Sequence, residues 1–154
     1  MTERAKKYLS FAFAAAAAGA LETLALRKEF GKYAFLALPS FAPRGAVLIA
    51  AWTVSLSLAG AGCAGAYVSF FTLRERALFY YALQFISAAA WPFAFFALEN
   101  YRAACITAVF VLFCACKAAA ITYKSNKAAA LLQLPHIAWV SFCTALCVTA
   151  ALMN

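Results

Sequence analysis

Five long apolar runs, each bounded by charged residues, are the feature that most constrains the fold of this chain. They cover approximately residues 8–26, 46–73, 77–98, 103–123 and 128–153. A helix needs roughly 20 apolar residues to cross the hydrocarbon core of a bilayer, and each run has about that length. The sequence therefore predicts an all-α, multi-pass integral membrane protein built as a bundle of five transmembrane helices.

The composition agrees with this interpretation. Charged residues make up 12% of the chain, whereas soluble domains contain about 25%. The five runs use most of the 154 residues, so we expect a single transmembrane domain over residues 1–154. Any function must then lie inside the bundle or in its loops.

The basic residues are spread over all the loops, although the net charge is +8. No dense basic patch interleaved with aromatic residues is visible, so nucleic acid is not an expected partner. Contacts with lipid head groups explain the charges more simply. The end that holds the N-terminus carries seven Lys and Arg residues and the other end five, which slightly favours a cytoplasmic N-terminus.

The first run has a second interpretation. "MTERAKK" followed by "SFAFAAAAAGA" has the basic start, apolar middle and small residues of a signal peptide. The apolar pattern continues to "LETLALRK", which favours a true first span.

The connection over residues 27–45 is the only long one, and such segments between packed helices are usually functional or disordered. Pro39 and Pro43 fix the backbone locally, and Phe41 adds an apolar side chain. We therefore expect an ordered loop that caps the bundle and covers a ligand.

Three glycines, Gly60, Gly62 and Gly65, lie in the second run. Small residues let helix backbones approach closely inside a membrane. They are consistent with a dimer face or with packing inside one bundle, and the sequence leaves both open. Pro92 and Pro135 lie within runs, where proline bends a helix and favours a cavity.

Alternation of the helices across the membrane predicts a meeting point beneath the long loop. Glu22, Trp52, Trp91 and Cys147 should lie at a similar depth there. Two helical faces point to the same region. One carries Gln84, Ala88, Trp91 and Phe95, and the other carries His136, Trp139, Cys143 and Cys147. Ordinary packing between helices explains the same spacing, but a tryptophan in mid-span, such as Trp139, suggests an internal aromatic pocket.

Glu22 is the lone carboxylate predicted within a span. Acids inside a membrane are costly and are often functional, but this one is close enough to the boundary to pair with Arg27 or Lys28. His136 is the only histidine, so a packing role is more consistent than metal ligation, and no metal site is expected.

Three segments, taken in order, resemble the translocator protein family, also called the TspO/MBR, tryptophan-rich sensory protein or peripheral benzodiazepine receptor family. "LPSFAPRGAVLIAAW" (38–52) is similar to its first-loop signature. "AWPFAFFAL" (90–98) is similar to its third-helix motif and "AALLQLPHIAWVSFCTAL" (129–146) to its fifth-helix motif. Gly60 and Gly62 also match positions where that family has glycine.

The resemblance implies a five-helix bundle, commonly a homodimer. Such a bundle binds porphyrins or other tetrapyrroles, and often sterols or benzodiazepine-type ligands, under the first loop. It requires no cofactor. The pocket tryptophans of the family match Trp52, Trp91 and Trp139. Together with the predicted faces, the expected ligand-binding residues are Glu22, Phe41, Leu48, Ile49, Trp52, Gln84, Ala88, Trp91, Phe95, Trp139, Cys143, Leu146 and Cys147.

This sequence departs from the family pattern at several of these positions. The usual asparagines are replaced by Ala88 and Cys147, and a common tyrosine by His136. A membrane translocator or sensory protein that binds hydrophobic ligands is the expected function. One alternative is an enzyme that degrades porphyrin photochemically with Trp52 and Trp139; another is a small proton-coupled transporter that uses Glu22.

Overall fold

The computed structural model describes residues 2–69 and 71–154. Its helices, in chain order, are α1 (Glu3–Ala25), α2 (Phe30–Tyr33), α3 (Gly45–Val68), α4 (Arg74–Pro92), α5 (Tyr101–Tyr123), α6 (Lys127–Leu131) and α7 (Leu134–Met153). A π-helical turn, Phe93–Ala97, extends α4.

Within the described residues, five helical segments are long and apolar enough to cross a membrane. They are α1, α3, α4 with its π turn, α5, and α6 together with α7. The prediction of an all-α, multi-pass bundle of five helices is confirmed.

Two helix ends differ from the predicted bounds by five residues. Helix α1 begins at Glu3, earlier than residue 8, because the Thr2 hydroxyl caps it by accepting a hydrogen bond from the Ala5 N–H (3.3 Å). Helix α3 ends at Val68 rather than at residue 73, because the Ser69 backbone is extended (φ −90°, ψ 127°). Residue 70, which the predicted second span included, lies outside the described residues.

The two prolines act differently from each other. Pro92 is followed by the π turn, as expected where proline removes a backbone donor and crowds the preceding turn. Pro135 lies in the first turn of α7, where a missing N–H costs nothing. The prediction that both prolines bend the interior of a helix is therefore wrong for Pro135, which starts one.

The glycines of α3 pack against helices of the same chain. A Cβ atom at Gly60 would lie 2.6 Å from the carbonyl oxygen of Phe11 in α1. At Gly65 it would collide with the Cβ of Ala129 in α6. Of the two interpretations left open, packing within one bundle therefore holds for these glycines, all of which are buried.

Buried apolar residues form two clusters at different depths. One lies beneath the long loop and includes Leu48, Trp52, Trp91, Phe95 and Phe96. The other, towards the N-terminal end of the bundle, includes Cys63, Ala66, Ala77, Tyr81 and Ala118. The first cluster contains most of the aromatic side chains and positions the site described next.

Candidate functional site

A chain of side-chain contacts runs across the bundle beneath the long loop. The Trp52 indole N–H donates to the Glu22 carboxylate (3.1 Å). The ring of Trp52 stacks on that of Trp91, with centroids 4.9 Å apart and an interplanar angle of 28°. The Trp91 indole N–H in turn donates to the Cys147 sulfur (3.2 Å). The structure thus brings together the four residues that the sequence placed at one depth.

An apolar cavity lies against this chain. Its volume is about 20 Å³, which is room for about one water molecule. It is lined by Glu22, Thr23, Phe30, Leu48, Ile49, Trp52, Trp91, Pro92 and Phe96. We call this the inner cavity. Its walls are mostly aromatic and aliphatic, and Glu22 supplies the one charged group among them.

Glu22 is half-buried and is held by an indole rather than by a cation. Within the described residues, neither Arg27 nor Lys28 pairs with it. The carboxylate also lines a second, larger cavity on the outside of the bundle, between α1, α3 and α4. Glu22 therefore separates the interior of the protein from its lipid-facing side.

The inner cavity is covered by α2 and residues 34–44, which we call the lid. Phe30 of the lid contacts Phe96 edge to face, with ring centroids 4.6 Å apart. The Tyr33 hydroxyl donates to the Pro43 carbonyl (3.0 Å). These contacts fold the lid onto itself and seal it against the π turn.

Polar contacts also hold the lid to the rest of the bundle. The Lys32 ammonium bonds to Glu29 (2.7 Å), which immediately precedes the lid, and to Glu99 (2.8 Å) after the π turn. The Asn154 side chain accepts a hydrogen bond from the Ala37 N–H (3.3 Å) and donates to the Ala37 carbonyl (3.0 Å). The lid is thus fastened on two sides.

Two lid residues have shifted pKa values. Burial raises the pKa of the Tyr33 phenol to about 12, so it stays neutral and continues to donate its hydrogen bond. The hydrogen bonds to Glu29 and then to Glu99 raise the pKa of Lys32. A raised lysine pKa means that Lys32 keeps its positive charge at neutral pH and loses it only when the pH rises through that value. The lid contacts are therefore intact throughout the physiological range.

Several other predicted site residues lie in or next to the inner cavity. Leu48 and Ile49 line it directly. Phe95 is fully buried and stacks on Trp91, with ring centroids 5.5 Å apart. Ala88, Cys143 and Leu146 are buried in the same apolar cluster.

Three predicted residues lie elsewhere. Trp139 is half-buried and stacks on Phe142, outside the lining of the inner cavity. Phe41 is 49% exposed and makes an edge-to-face contact with the same Phe142 ring, with centroids 6.0 Å apart. Gln84 is fully buried but accepts a hydrogen bond from Gln133. The indole nitrogen of Trp139 is buried and has no hydrogen-bond partner among the described residues.

His136 is fully buried beside Trp52, with ring centroids 6.1 Å apart. Its Nδ1 lies 3.2 Å from the Ser55 hydroxyl, and that hydroxyl also lies 2.9 Å from the Trp52 carbonyl oxygen. This is the hydrogen-bonded packing role that the sequence favoured for it.

Phe30 and Phe96 line the inner cavity and were missed by sequence reasoning. Phe30 lies in the long connection, which the sequence interpreted as a loop rather than as a short helix. Phe96 is adjacent to Phe95, and two neighbouring residues do not share one face of a regular α-helix. The signal that was available in the sequence is Pro92, because a proline inside a helix removes a backbone hydrogen bond and disturbs the regular turn.

A sequence profile of the TspO/MBR family matches residues 10–153. The chain belongs to the TspO/MBR family. This match extends over all five membrane-spanning segments and over the lid, and it supports a membrane translocator or sensory role. No curated protein sequence shows significant similarity to this TspO/MBR chain.

Proposed function

We propose that the protein binds a flat, hydrophobic ligand of the porphyrin or tetrapyrrole class in the inner cavity, beneath the lid. The observation that carries the proposal is the stacked pair of Trp52 and Trp91 in the cavity wall. Stacked indoles present flat apolar surfaces to a planar ring. Sterols and benzodiazepine-type drugs are further candidates, because the remaining lining is apolar.

The volume of the inner cavity implies a movement on binding. A space of about 20 Å³ is far smaller than the few hundred Å³ of a typical ligand pocket. The lid must therefore separate from the π turn, and the contact between Phe30 and Phe96 is the first to open. Slow binding limited by this opening is an expected property.

Charges near the lid suit the carboxylates of a porphyrin. Lys32 is occupied by Glu29 and Glu99, whereas Lys28 and Arg44 are exposed and suited to pairing with propionate groups. Glu22 repels an acid placed at the inner wall. The propionates of a bound porphyrin therefore point towards the lid, with the macrocycle against the tryptophans.

A titration with protoporphyrin IX tests the proposal. Binding to the detergent-solubilised protein is followed by the shift of the porphyrin absorption band and by quenching of tryptophan fluorescence. Ile49→Phe fills the inner cavity and should weaken binding about ten-fold, equivalent to about 1.4 kcal/mol. The matched control is Val54→Phe, which adds a similar ring to the same helix at a side chain that is 60% exposed.

Saturable micromolar binding that Ile49→Phe weakens and Val54→Phe preserves supports the inner cavity as the site. Equal affinities for the two variants place the ligand elsewhere. Absence of saturable binding in the parent protein excludes porphyrin as the ligand class.

The enzymatic alternative predicts light-dependent bleaching of bound porphyrin that is lost in Trp52→Phe and in Trp139→Phe. Of these two residues, Trp52 lines the inner cavity and Trp139 does not. A mechanism that needs both tryptophans on one ligand therefore receives no support from the geometry. Binding without turnover is therefore the function we propose. Porphyrin degradation that requires both residues is the result that reverses this preference.

The transport alternative predicts proton-coupled flux in liposomes that Glu22→Gln abolishes. Glu22 lies between the inner cavity and the lipid-facing side, and this position is the reason to test the transport alternative.

We also propose, from the family resemblance, that the chain forms a homodimer. Its interface must use an outer face of the bundle, because Gly60, Gly62 and Gly65 of α3 already pack against other helices of the same chain.

A further inference from the structure

A large apolar groove lies on the outside of the bundle, between α1, α3 and α4. Its volume is about 710 Å³, many times that of the inner cavity. We call it the outer groove. It is lined by Ser10, Phe11, Ala14, Ala15, Ala18, Glu22, Leu56, Gly60, Cys63, Tyr67, Leu78, Ala82, Phe85 and Ala89.

A basic pocket adjoins the outer groove at the N-terminal end of the bundle. It has a volume of about 280 Å³ and is lined by Glu3, Arg4, Lys7, Tyr67, Val68 and Arg74. We call it the basic mouth. Three cations outnumber the single acid, and Glu3 is itself paired with Lys6 (2.6 Å).

Tyr67 belongs to both lining sets and joins the two spaces. The Lys7 ammonium lies 5.1 Å from the centroid of its ring. On the apolar side, Phe11 packs against the same ring at 5.5 Å. A tyrosine between a charged and an apolar environment is typical of the boundary between head groups and hydrocarbon. The outer groove therefore begins at the membrane surface and runs into the hydrocarbon layer.

The length of the outer groove is that of a lipid chain. From Ser10 to Glu22 along α1, a rise of 1.5 Å per residue gives about 18 Å. Between Ser10 and Glu22, which are the polar residues at its two ends on α1, the walls are glycine, alanine, leucine, cysteine and aromatic side chains. A long fatty acyl chain lying along the helices fits this length and this polarity.

We propose that the basic mouth and the outer groove together form a binding site for one anionic phospholipid. The phosphate and the anionic head group contact Arg4, Lys7 and Arg74, and one acyl chain lies in the outer groove. Attraction between basic residues and anionic lipid at a membrane surface is a general effect, and the adjoining groove converts it into a defined site.

Charge argues against a second copy of the chain as the occupant. A parallel two-fold dimer formed through the outer groove places the same surface patch of both chains face to face, so the cations of the two basic mouths would lie at the same membrane surface and repel each other. An anionic lipid neutralises those cations instead.

The test uses delipidated protein in detergent, titrated with phosphatidylglycerol or phosphatidylcholine and observed by native mass spectrometry. One phosphatidylglycerol per chain should bind preferentially. Lys7→Gln should weaken its binding about five-fold, and the double change Arg4→Gln with Lys7→Gln about 25-fold. Lys124→Gln is the matched control, because it removes an exposed charge from the same end of the bundle, outside the basic mouth.

A second pair of variants tests the outer groove. Ala82→Leu fills it at an exposed position on α4, and Ala90→Leu adds the same bulk to an exposed position of the same helix outside the groove. Ala82→Leu should weaken binding of phosphatidylglycerol and leave binding of soluble glycerol phosphate unchanged. Ala90→Leu should alter neither.

Four results overturn the proposal. Equal losses in Lys7→Gln and Lys124→Gln indicate diffuse surface charge. Unchanged lipid binding in Ala82→Leu removes the acyl chain from the outer groove. Equal affinity for glycerol phosphate and phosphatidylglycerol indicates an anion site without a lipid. A lipid-independent dimer that Ala82→Leu dissociates assigns the groove to a second copy.

Discussion

The two ends of the bundle are packed in different ways. Beneath the lid, large rings stack on one another and hydrogen bonds join side chains from different helices, as between Trp91 and Cys147. Towards the N-terminal end, glycines bring the backbones of α1, α3 and α6 into direct contact. Side chains can change rotamers to admit a ligand, whereas close backbone contacts cannot adapt in this way. The end beneath the lid is therefore better suited to the proposed ligand binding, and the N-terminal end to fixing the positions of the helices.

The largest effect on stability is expected at the N-terminal end of the bundle, which we call the rigid end because its helix backbones are in direct contact. In Gly60→Val the new Cβ meets the Phe11 carbonyl oxygen, and because that atom is backbone, α1 must move away. We expect a loss of about 3 kcal/mol in the free energy of unfolding, the upper part of the range for overpacking. Denaturant titration in mixed micelles measures it.

Gly31→Ala is the control for this substitution, because nothing lies within 4 Å of a Cβ placed at Gly31 in the lid. It should leave stability unchanged or slightly raised. A similar loss in both variants would show that the two ends do not differ in rigidity.

A smaller effect is expected where polar side chains pair within the rigid end. Gln84→Leu leaves the Gln133 amide without its partner, which should cost about 2 kcal/mol. Changing both residues to leucine removes the unpaired group and should restore most of the stability. A double-mutant cycle measures this difference, and additive losses from the two single changes would contradict it.

At the end beneath the lid, Cys147→Ala removes the sulfur that accepts the hydrogen bond of the Trp91 indole. We expect a loss of about 1 kcal/mol in the free energy of unfolding and a change in near-ultraviolet circular dichroism as the ring reorients. Cys116→Ala is the control, since that cysteine is exposed and its change should stay within about 0.5 kcal/mol. A Cys147→Ala variant with an unaltered spectrum would show that the hydrogen bond does not orient the ring.

The smallest effect on stability is expected at the lid. Lys32→Ala breaks exposed ion pairs to Glu29 and Glu99, and such pairs add little to overall stability. The thermal midpoint should stay the same while bound protoporphyrin is released severalfold faster, as stopped-flow fluorescence can measure. Lys6→Ala breaks the exposed pair with Glu3 at the opposite end and should change neither quantity.

The sequence predicted those parts of the fold that depend on length and on alternation across the membrane. The five spans follow from the apolar runs, and the meeting of Glu22, Trp52, Trp91 and Cys147 follows from the sides on which their helices begin and end. These inferences need no knowledge of how the helices rotate about their axes.

Rotation about the helix axis and the local backbone were harder to predict. Trp139 was expected in the same pocket as Trp52, but α7 turns it onto Phe142. The early end of α3 depends on the extended backbone at Ser69. The inward position of Phe96 depends on the π turn. A sequence pattern with a fixed period of 3.6 residues assumes a regular α-helix, so it cannot predict the extended backbone at Ser69 or the π turn.

The π turn has a consequence for how this family member can vary. One extra residue in a helical turn rotates everything that follows by about 100°, which is how adjacent Phe95 and Phe96 both become buried, at 0% and 4% exposure. Deleting a single residue between positions 93 and 97 would restore the regular helix and turn one of these rings towards lipid. Single-residue insertions and deletions at this point would therefore change the shape of the inner cavity, while the part of α4 that precedes Pro92 would keep its register.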